Sequence, residues 1–251
     1  MDVQQLGKGK WILISGGTRG IGRALVQHLS REGYEVAFTY QSSADAARQL
    51  EQEVAASGGR AHGHACDGRD FQSVSSLCEQ LVNDLGGPYG LINNMGVTGD
   101  QLLFNLDVER YRDVVATNLD SAVYFSRSLV PAMAGERRGK ILHMSSVSGV
   151  KGNKGQLGYS ATKAAMIGIT KTMALELARF KINVNAIAPG YIATDMIDQI
   201  PDHVRKSITD NIPLKRFGEV HEVAALASFL LSPQADYITG QTFLIDGGLT
   251  A

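Results

Sequence analysis

A tyrosine and a lysine four residues apart, Tyr159 and Lys163, are the groups in this chain whose spacing most directly suggests chemistry. On a helix that spacing sets both side chains on one face, about one turn apart. A free phenol, with a pKa near ~10, is a poor proton donor or acceptor at neutral pH. A cation held beside it favours the phenolate. At ~4 Å and an effective dielectric of ~20 the attraction is on the order of 4 kcal/mol, which would bring the phenol into the working range of general acid–base catalysis. Ser146 lies thirteen residues earlier, at the end of the apolar run 141–144. A strand ending there could present its hydroxyl to whatever Tyr159 protonates. A Tyr-x-x-x-Lys pair alone is more often an ordinary surface or packing pair, so its weight comes from the elements around it.

Those elements alternate. The continuous apolar run 11–14 reads as a strand buried on both faces of a parallel sheet, and 90–94 and the apolar run 141–144 read as strands as well. Further strands are expected at 35–40, 61–66, 182–188 and 242–245. Helical patterns fall at 24–29, 44–56, 71–85, 108–133, 157–180 and 220–231. About seven strand–helix alternations argue for one α/β domain over residues 1–251, a Rossmann-type doubly wound parallel sheet with right-handed crossovers. The stretch 191–216 carries Pro201 and Pro213 and mixed polarity, and reads as a mobile segment over a substrate site. The helix 157–180 is small or apolar nearly all round, which predicts a subunit contact on its outer face.

Composition limits the function. The chain has 251 residues, 44% hydrophobic and 20% charged, with a net charge of −1. That balance gives no electrostatic case for nucleic acid or an acidic membrane. The N-terminal apolar run is far too short for a signal peptide or a membrane span. Cys66 and Cys78 match no metal spacing and read as reduced thiols, so a cytoplasmic protein without a metal site is expected.

Gly16, Gly20 and Gly22 stand as G-x-x-x-G-x-G between the first strand and the first helix. Such a turn brings bare backbone N–H groups and a helix N-terminus to a pyrophosphate, so a dinucleotide is expected there. A site for NAD usually has an acid at the end of the second strand, on the ribose 2′-hydroxyl. Here the sequence is Thr39-Tyr40-Gln41-Ser42-Ser43, with no acid, and Arg19 could reach a 2′-phosphate. The expectation is NADPH.

Taken in order, Gly16-x-x-x-Gly20-x-Gly22, Asn93-Asn94-Met95-Gly96, Asn118, Ser146, Tyr159-x-x-x-Lys163 and Pro189-Gly190 resemble the short-chain dehydrogenase/reductase family over essentially the whole chain. Segments 152–159, 189–196, 213–218 and 237–240 are most similar to β-ketoacyl-acyl-carrier-protein reductases. The resemblance implies reduction of a 3-oxoacyl thioester on an acyl-carrier protein by NADPH, in a homotetramer. It makes Tyr159 the general acid and Ser146 the group that polarises the ketone oxygen. Lys163 would lower the tyrosine pKa and hold the nicotinamide ribose, and Asn118 would anchor a water chain behind it. Asp67 would contact adenine, Asn94 would lie beside the adenosine ribose, and Ile192 and Thr194 would meet the carboxamide. The cofactor set is completed by Gly16, Thr18, Arg19, Gly20, Ile21, Gly22, Tyr40, Gly96, Tyr159, Lys163, Pro189 and Gly190. Met95 departs from the family's usual alanine and would tighten the cofactor floor. Ser145 is the alternative to Ser146, which the family's spacing favours.

A reductase acting on an acidic carrier should carry a basic patch near the site entrance. Arg137 and Arg138 precede the strand that carries Ser146, and Arg137 aligns with an arginine the resembled reductases use for docking. Their second basic position corresponds to Phe180, between Arg179 and Lys181. Two other functions use the same residues or the same fold: a reductase of acyl-CoA, sugar or polyol substrates, and a non-catalytic dinucleotide sensor.

Overall fold

A computed structural model of the chain describes residues 6–194 and 202–251. Seven parallel strands form one sheet in the order β3-β2-β1-β4-β5-β6-β9. The strands are β1 (Trp11–Ile14), β2 (Glu35–Tyr40), β3 (Arg60–Ala65), β4 (Gly90–Asn93), β5 (Gly139–Met144), β6 (Ile182–Pro189) and β9 (Thr242–Ile245). Strands β1, β4 and β5 are buried along their whole length; β1 is an unbroken apolar run, while β4 and β5 also bury Asn93, Lys140 and His143.

Helices cover both faces. On one side α1 (Gly20–Arg31), α2 (Ala44–Ala56) and α9 (Val220–Leu231) bury Leu25, Leu29, Leu50, Val223 and Leu230 against the even-numbered residues of β1. On the other, α3 (Phe71–Leu85), α5 (Ser121–Glu136) and α7 (Leu157–Leu177) enclose Leu13, Leu91, Phe125, Leu129 and Ile141. Removing one such side chain, as in Leu129→Ala, costs ~2–5 kcal/mol. Strand order reverses between β1 and β4, so a crevice opens beyond their C-terminal ends, where doubly wound sheets bind ligands.

The expected fold class is the one observed, with local differences. Periodicity predicts one helix over 108–133. The chain instead forms α4 (Val108–Val115), a wide π turn over Ala116–Asp120, and α5 running on to Glu136 through Pro131. A short helix α6 (Val147–Lys151) follows β5. The last turn of the predicted helix 157–180 is a tight 3₁₀ turn, Ala178–Phe180. The stretch 191–216 is not without structure. It contains β7 (Ile192–Ala193), paired with β8 (Gly218–Glu219), and α8 (Asp202–Asn211). Residues 195–201 of that stretch lie outside the described residues.

Candidate active site

The first turn after β1 is shaped by glycine. Gly16 has φ +70°, a conformation that a side chain disfavours. A β-carbon on Gly22 would sit 2.0 Å from the Gly16 carbonyl oxygen. Thr39 at the end of β2 closes the turn, its Oγ1 accepting from Gly16 N at 3.2 Å. Asn94 fastens it to β4, its Nδ2 donating to the carbonyls of Ser15 and Gly16 at 3.0 and 2.9 Å. Ser15 returns the bond, its Oγ accepting from the backbone N–H of Asn94 and Met95. Asn94 therefore spends its donors on holding the glycine turn, rather than pointing them at a ribose. Thr18 and Ile21 are half-buried along the turn, and Arg19 is exposed on it.

Asp67 lies past the end of β3. Its carboxylate is gripped by the Arg69 guanidinium at 2.6–3.2 Å and by Gln41 Nε2 at 3.1 Å, and the Arg69 hydrogen bond holds it down to about 2. Tyr40 is half-buried beside it. Met95 packs its sulfur against the Gly68 backbone, and Thr194 sets its methyl over Gly20. Pro189 ends β6, the Gly190 N–H donates to Ile245 O, and Ile192 is buried.

The end of β5 separates the two serines. Ser145 Oγ donates to the Lys163 carbonyl at 2.7 Å and ties the strand to α7. Ser146 caps α6, its Oγ accepting from Ser148 N at 3.1 Å, which fixes its rotamer. The same hydroxyl lies close enough to the Tyr159 phenol to pull its pKa downward. Ser146, not Ser145, thus meets the tyrosine.

Lys163 is fully buried, and its Nζ donates to Met144 O at 2.6 Å. It lies 5.6 Å from the centroid of the Tyr159 ring. Burial without a carboxylate partner pushes its pKa down to about 8. This corrects the expectation of a phenol made acidic by the lysine. Burial raises the Tyr159 pKa, the Ser146 hydroxyl pulls against it, and the Asp100 charge adds to the rise. The helical spacing places the ammonium beside the ring while the Met144 carbonyl holds it. The raised pKa favours the protonated phenol, the form a general acid needs.

Asn118 occupies the π turn and is wholly buried. Its Oδ1 accepts from Val97 N at 2.8 Å, and its Nδ2 donates to Val97 O and Thr162 Oγ1. A β-carbon on Gly96 would meet Lys163 Nζ at 3.3 Å and Asn118 Oδ1 at 3.5 Å. The glycine thus keeps open a polar cradle that leads from Lys163 back to the Gly16 turn, which fits a dinucleotide laid across the crevice.

Arg137 and Arg138 stand elsewhere. They precede the first residue of β5, and Ser146 follows its last, so the six-residue strand separates them by ~17 Å or more. Arg137 ends α5 with φ 51° and donates to Arg179 O, while Arg138 faces Glu136. Within one chain they are at the opposite end of the sheet from the site, which corrects their expected place at its entrance. Sequence reasoning passed over Ser15, Thr162 and the residues Asp100 and Gln156, which bridge the loops beside Tyr159. A glutamine three residues before the tyrosine, at the start of its helix, was the available signal. No helix among the described residues is long and apolar enough to cross a membrane, and no cluster among them could hold a metal ion.

A glycine turn between the first strand and helix, with a Ser–Tyr–Lys constellation at the switch point, defines an oxidoreductase that uses a nicotinamide dinucleotide. The chain belongs to the short-chain dehydrogenase/reductase family. A family model described as enoyl-(acyl carrier protein) reductase matches residues 16–250. The chain is 39% identical over 240 residues to the 3-oxoacyl-[acyl-carrier-protein] reductase FabG of Staphylococcus aureus, covering 96% of this chain and 98% of that protein. It is 40% identical over 242 residues to FabG of Haemophilus influenzae, with the same coverage. It is 40% identical over 240 residues to nodulation protein G of Azospirillum brasilense, again covering 96% and 98%. A mutant short-chain dehydrogenase/reductase of Serratia marcescens shares the fold with a TM-score of 0.92, at 31% identity, over 98% of this chain and 100% of that one.

Proposed function

We propose that this protein reduces 3-oxoacyl thioesters carried on an acyl-carrier protein to 3-hydroxyacyl thioesters, in fatty-acid biosynthesis. The observation that carries the reading is the Ser146–Tyr159 hydroxyl pair, with buried Lys163 behind it. Bound NADPH would supply hydride to the ketone carbon. Gly16, Gly20 and Gly22 would receive its pyrophosphate, Asp67 its adenine, and Lys163 and Gly96 the nicotinamide ribose. Ser146 holds the ketone oxygen by a hydrogen bond, and Tyr159 Oη–H gives that oxygen its proton as negative charge gathers there. Lys163 and Asn118 line the route by which the phenol is reprotonated. The absence of an acid at Thr39–Ser43 and the exposed Arg19 favour NADPH over NADH.

The reading extends to a cytoplasmic homotetramer in which segment 191–216 covers the substrate. The outer face of α7 supports subunit contact, with Ala161, Ala164 and Leu175 exposed. Arg137 and Arg138 would then serve an acidic carrier only if assembly brought them to a neighbouring subunit's site.

NADPH absorbance followed with acetoacetyl-acyl-carrier protein, acetoacetyl-CoA and crotonyl-acyl-carrier protein tests the assignment. Rapid loss with the first, slower loss with the second and none with the third is expected. Turnover of the crotonyl thioester alone would assign the chemistry to a carbon–carbon double bond instead. Equal use of NADH would overturn the cofactor choice, and Arg19→Ala with Tyr40→Asp should shift the preference toward NADH.

A further inference from the structure

We propose that Gln156 is a positioning residue of the active site, clamping together the two loops that wall the ketone cleft beside Tyr159. It occupies the N-cap position of α7, yet its side chain makes no cap bond to the helix. The amide is used across the loops instead. Its Oε1 accepts from Ser148 Oγ, on α6, and from Asn153 Nδ2, in the loop that follows α6, both at 3.0 Å. Its Nε2 donates to both carboxylate oxygens of Asp100, at 3.2 and 3.3 Å, on the loop that follows β4. Beside it Gln101 N donates to Gly155 O at 2.7 Å, and Gln101 Oε1 accepts from the N–H of Asp107 at the start of α4. Gln156 thus joins segments 56 residues apart, one helical turn before Tyr159.

The clamp has a place to act. A cleft of about 490 Å³ lies between the loops at the start of α7, with Leu102 and Leu103 on one wall and Leu157 and Ser160 on the other; it adjoins the Tyr159 turn but is not lined by Tyr159 or Ser146. Leu102, Leu103 and Leu157 are all substantially exposed, at 51%, 69% and 42%. Apolar side chains left open to water on loops suit a surface that meets a ligand. Hydrogen bonds at this exposure are too weak to hold a fold, yet strong enough to bias a loop between open and closed. The clamp holds the leucine wall against α7 and so sets where a ketone beside Ser146 and Tyr159 can lie. The inference takes the ketone cleft from the function proposed above.

The test exchanges the two groups of the clamp. Gln156→Glu keeps the acceptor for Ser148 and Asn153, but sets one carboxylate against another at Asp100. Combining it with Asp100→Asn restores a donor and an acceptor in reversed order. With acetoacetyl-acyl-carrier protein, Gln156→Glu should raise KM at least tenfold while kcat falls less than threefold. The double variant should return KM to within threefold of the wild type. NADPH affinity, read by its fluorescence, should not change in either. Hydrogen exchange over residues 98–106 should quicken in the single variant and recover in the double. If Gln156→Glu fails to fold, Asp100→Ala at the exposed end of the clamp should give the same rise in KM and the same faster exchange. An unchanged KM with unchanged exchange, or a double variant as impaired as the single one, overturns the clamp. A wild type inert toward the ketone overturns the functional reading instead, and the exchange experiment still tests the clamp.

Discussion

Two lysines are buried at opposite ends of the same sheet, and they are treated differently. Lys140, at the start of β5, has its Nζ 2.6 Å from Asp236 and 2.9 Å from Asn183. Lys163, beyond the end of the same strand, has one backbone carbonyl, and its pKa falls to about 8. A buried ammonium beside a carboxylate and an amide is a structural device. One left with donors to spare is held ready for a ligand or a proton, at a cost to stability. The far end of the sheet is built for order and the near end for chemistry.

The comparison is broken most sharply by removing each amine. Lys163→Met should lower turnover of acetoacetyl-acyl-carrier protein by ~10³ while the urea midpoint stays level or rises, because a costly buried charge is gone. Lys140→Met should do the reverse, with turnover within about threefold and stability lower by ~1–3 kcal/mol as Asn183 and Asp236 lose their donor. If both variants lose activity and stability together, the distinction fails. The two serines sharpen it next. Ser146→Ala should cost ~10²-fold in kcat, since the ketone oxygen loses a donor. Ser145→Ala should cost a few-fold at most, through a looser tie to α7. The opposite ranking would reassign the ketone contact.

A further effect is one of pH. His143, fully buried at the near end, touches Asn93 at 3.2 Å and leaves its Nε2 without a partner among the described residues. Burial, with the Lys163 charge adding to it, pushes its pKa down to about 4. The unfolded chain takes up a proton there from about 6.5 downward, and the folded chain only near 4. The contribution to stability is therefore whole above about 6.5. It is lost as pH falls toward 4, and amounts to on the order of 3 kcal/mol. In His143→Asn the fall in urea midpoint between pH 7 and 4.5 should be visibly shallower. An unchanged slope would remove His143 from the acid sensitivity.

Much of this architecture is legible in the residues because parallel strands buried on both faces are written as apolar runs, and the glycine turn has a spacing of its own. The wide turn at Asn118 is not, because the apolar pattern of 108–133 continues through it without a gap. Neither is the state of Tyr159. Its i+4 neighbour is plain, but the carbonyl that captures Lys163 comes from Met144, nineteen residues before it. Arg137 shows another limit. Nearness to a strand in sequence does not say which end of it a residue occupies, and the two ends of β5 face different surroundings. The helix Asp202–Asn211 went unseen because its residues are mostly polar and carry little periodic signal.

The π turn sets the angle between the two halves of this rod. An ordinary helix turns ~100° per residue, so drawing residues 116–120 into a regular α-helix without losing one would swing α4 by about that angle against α5. Val114, buried beside Gly99 and Gly158, would leave its socket, and Tyr111 would move off the start of α7. The extra residue works as a phase correction, keeping two differently oriented stripes on a single rod, each against its own neighbour.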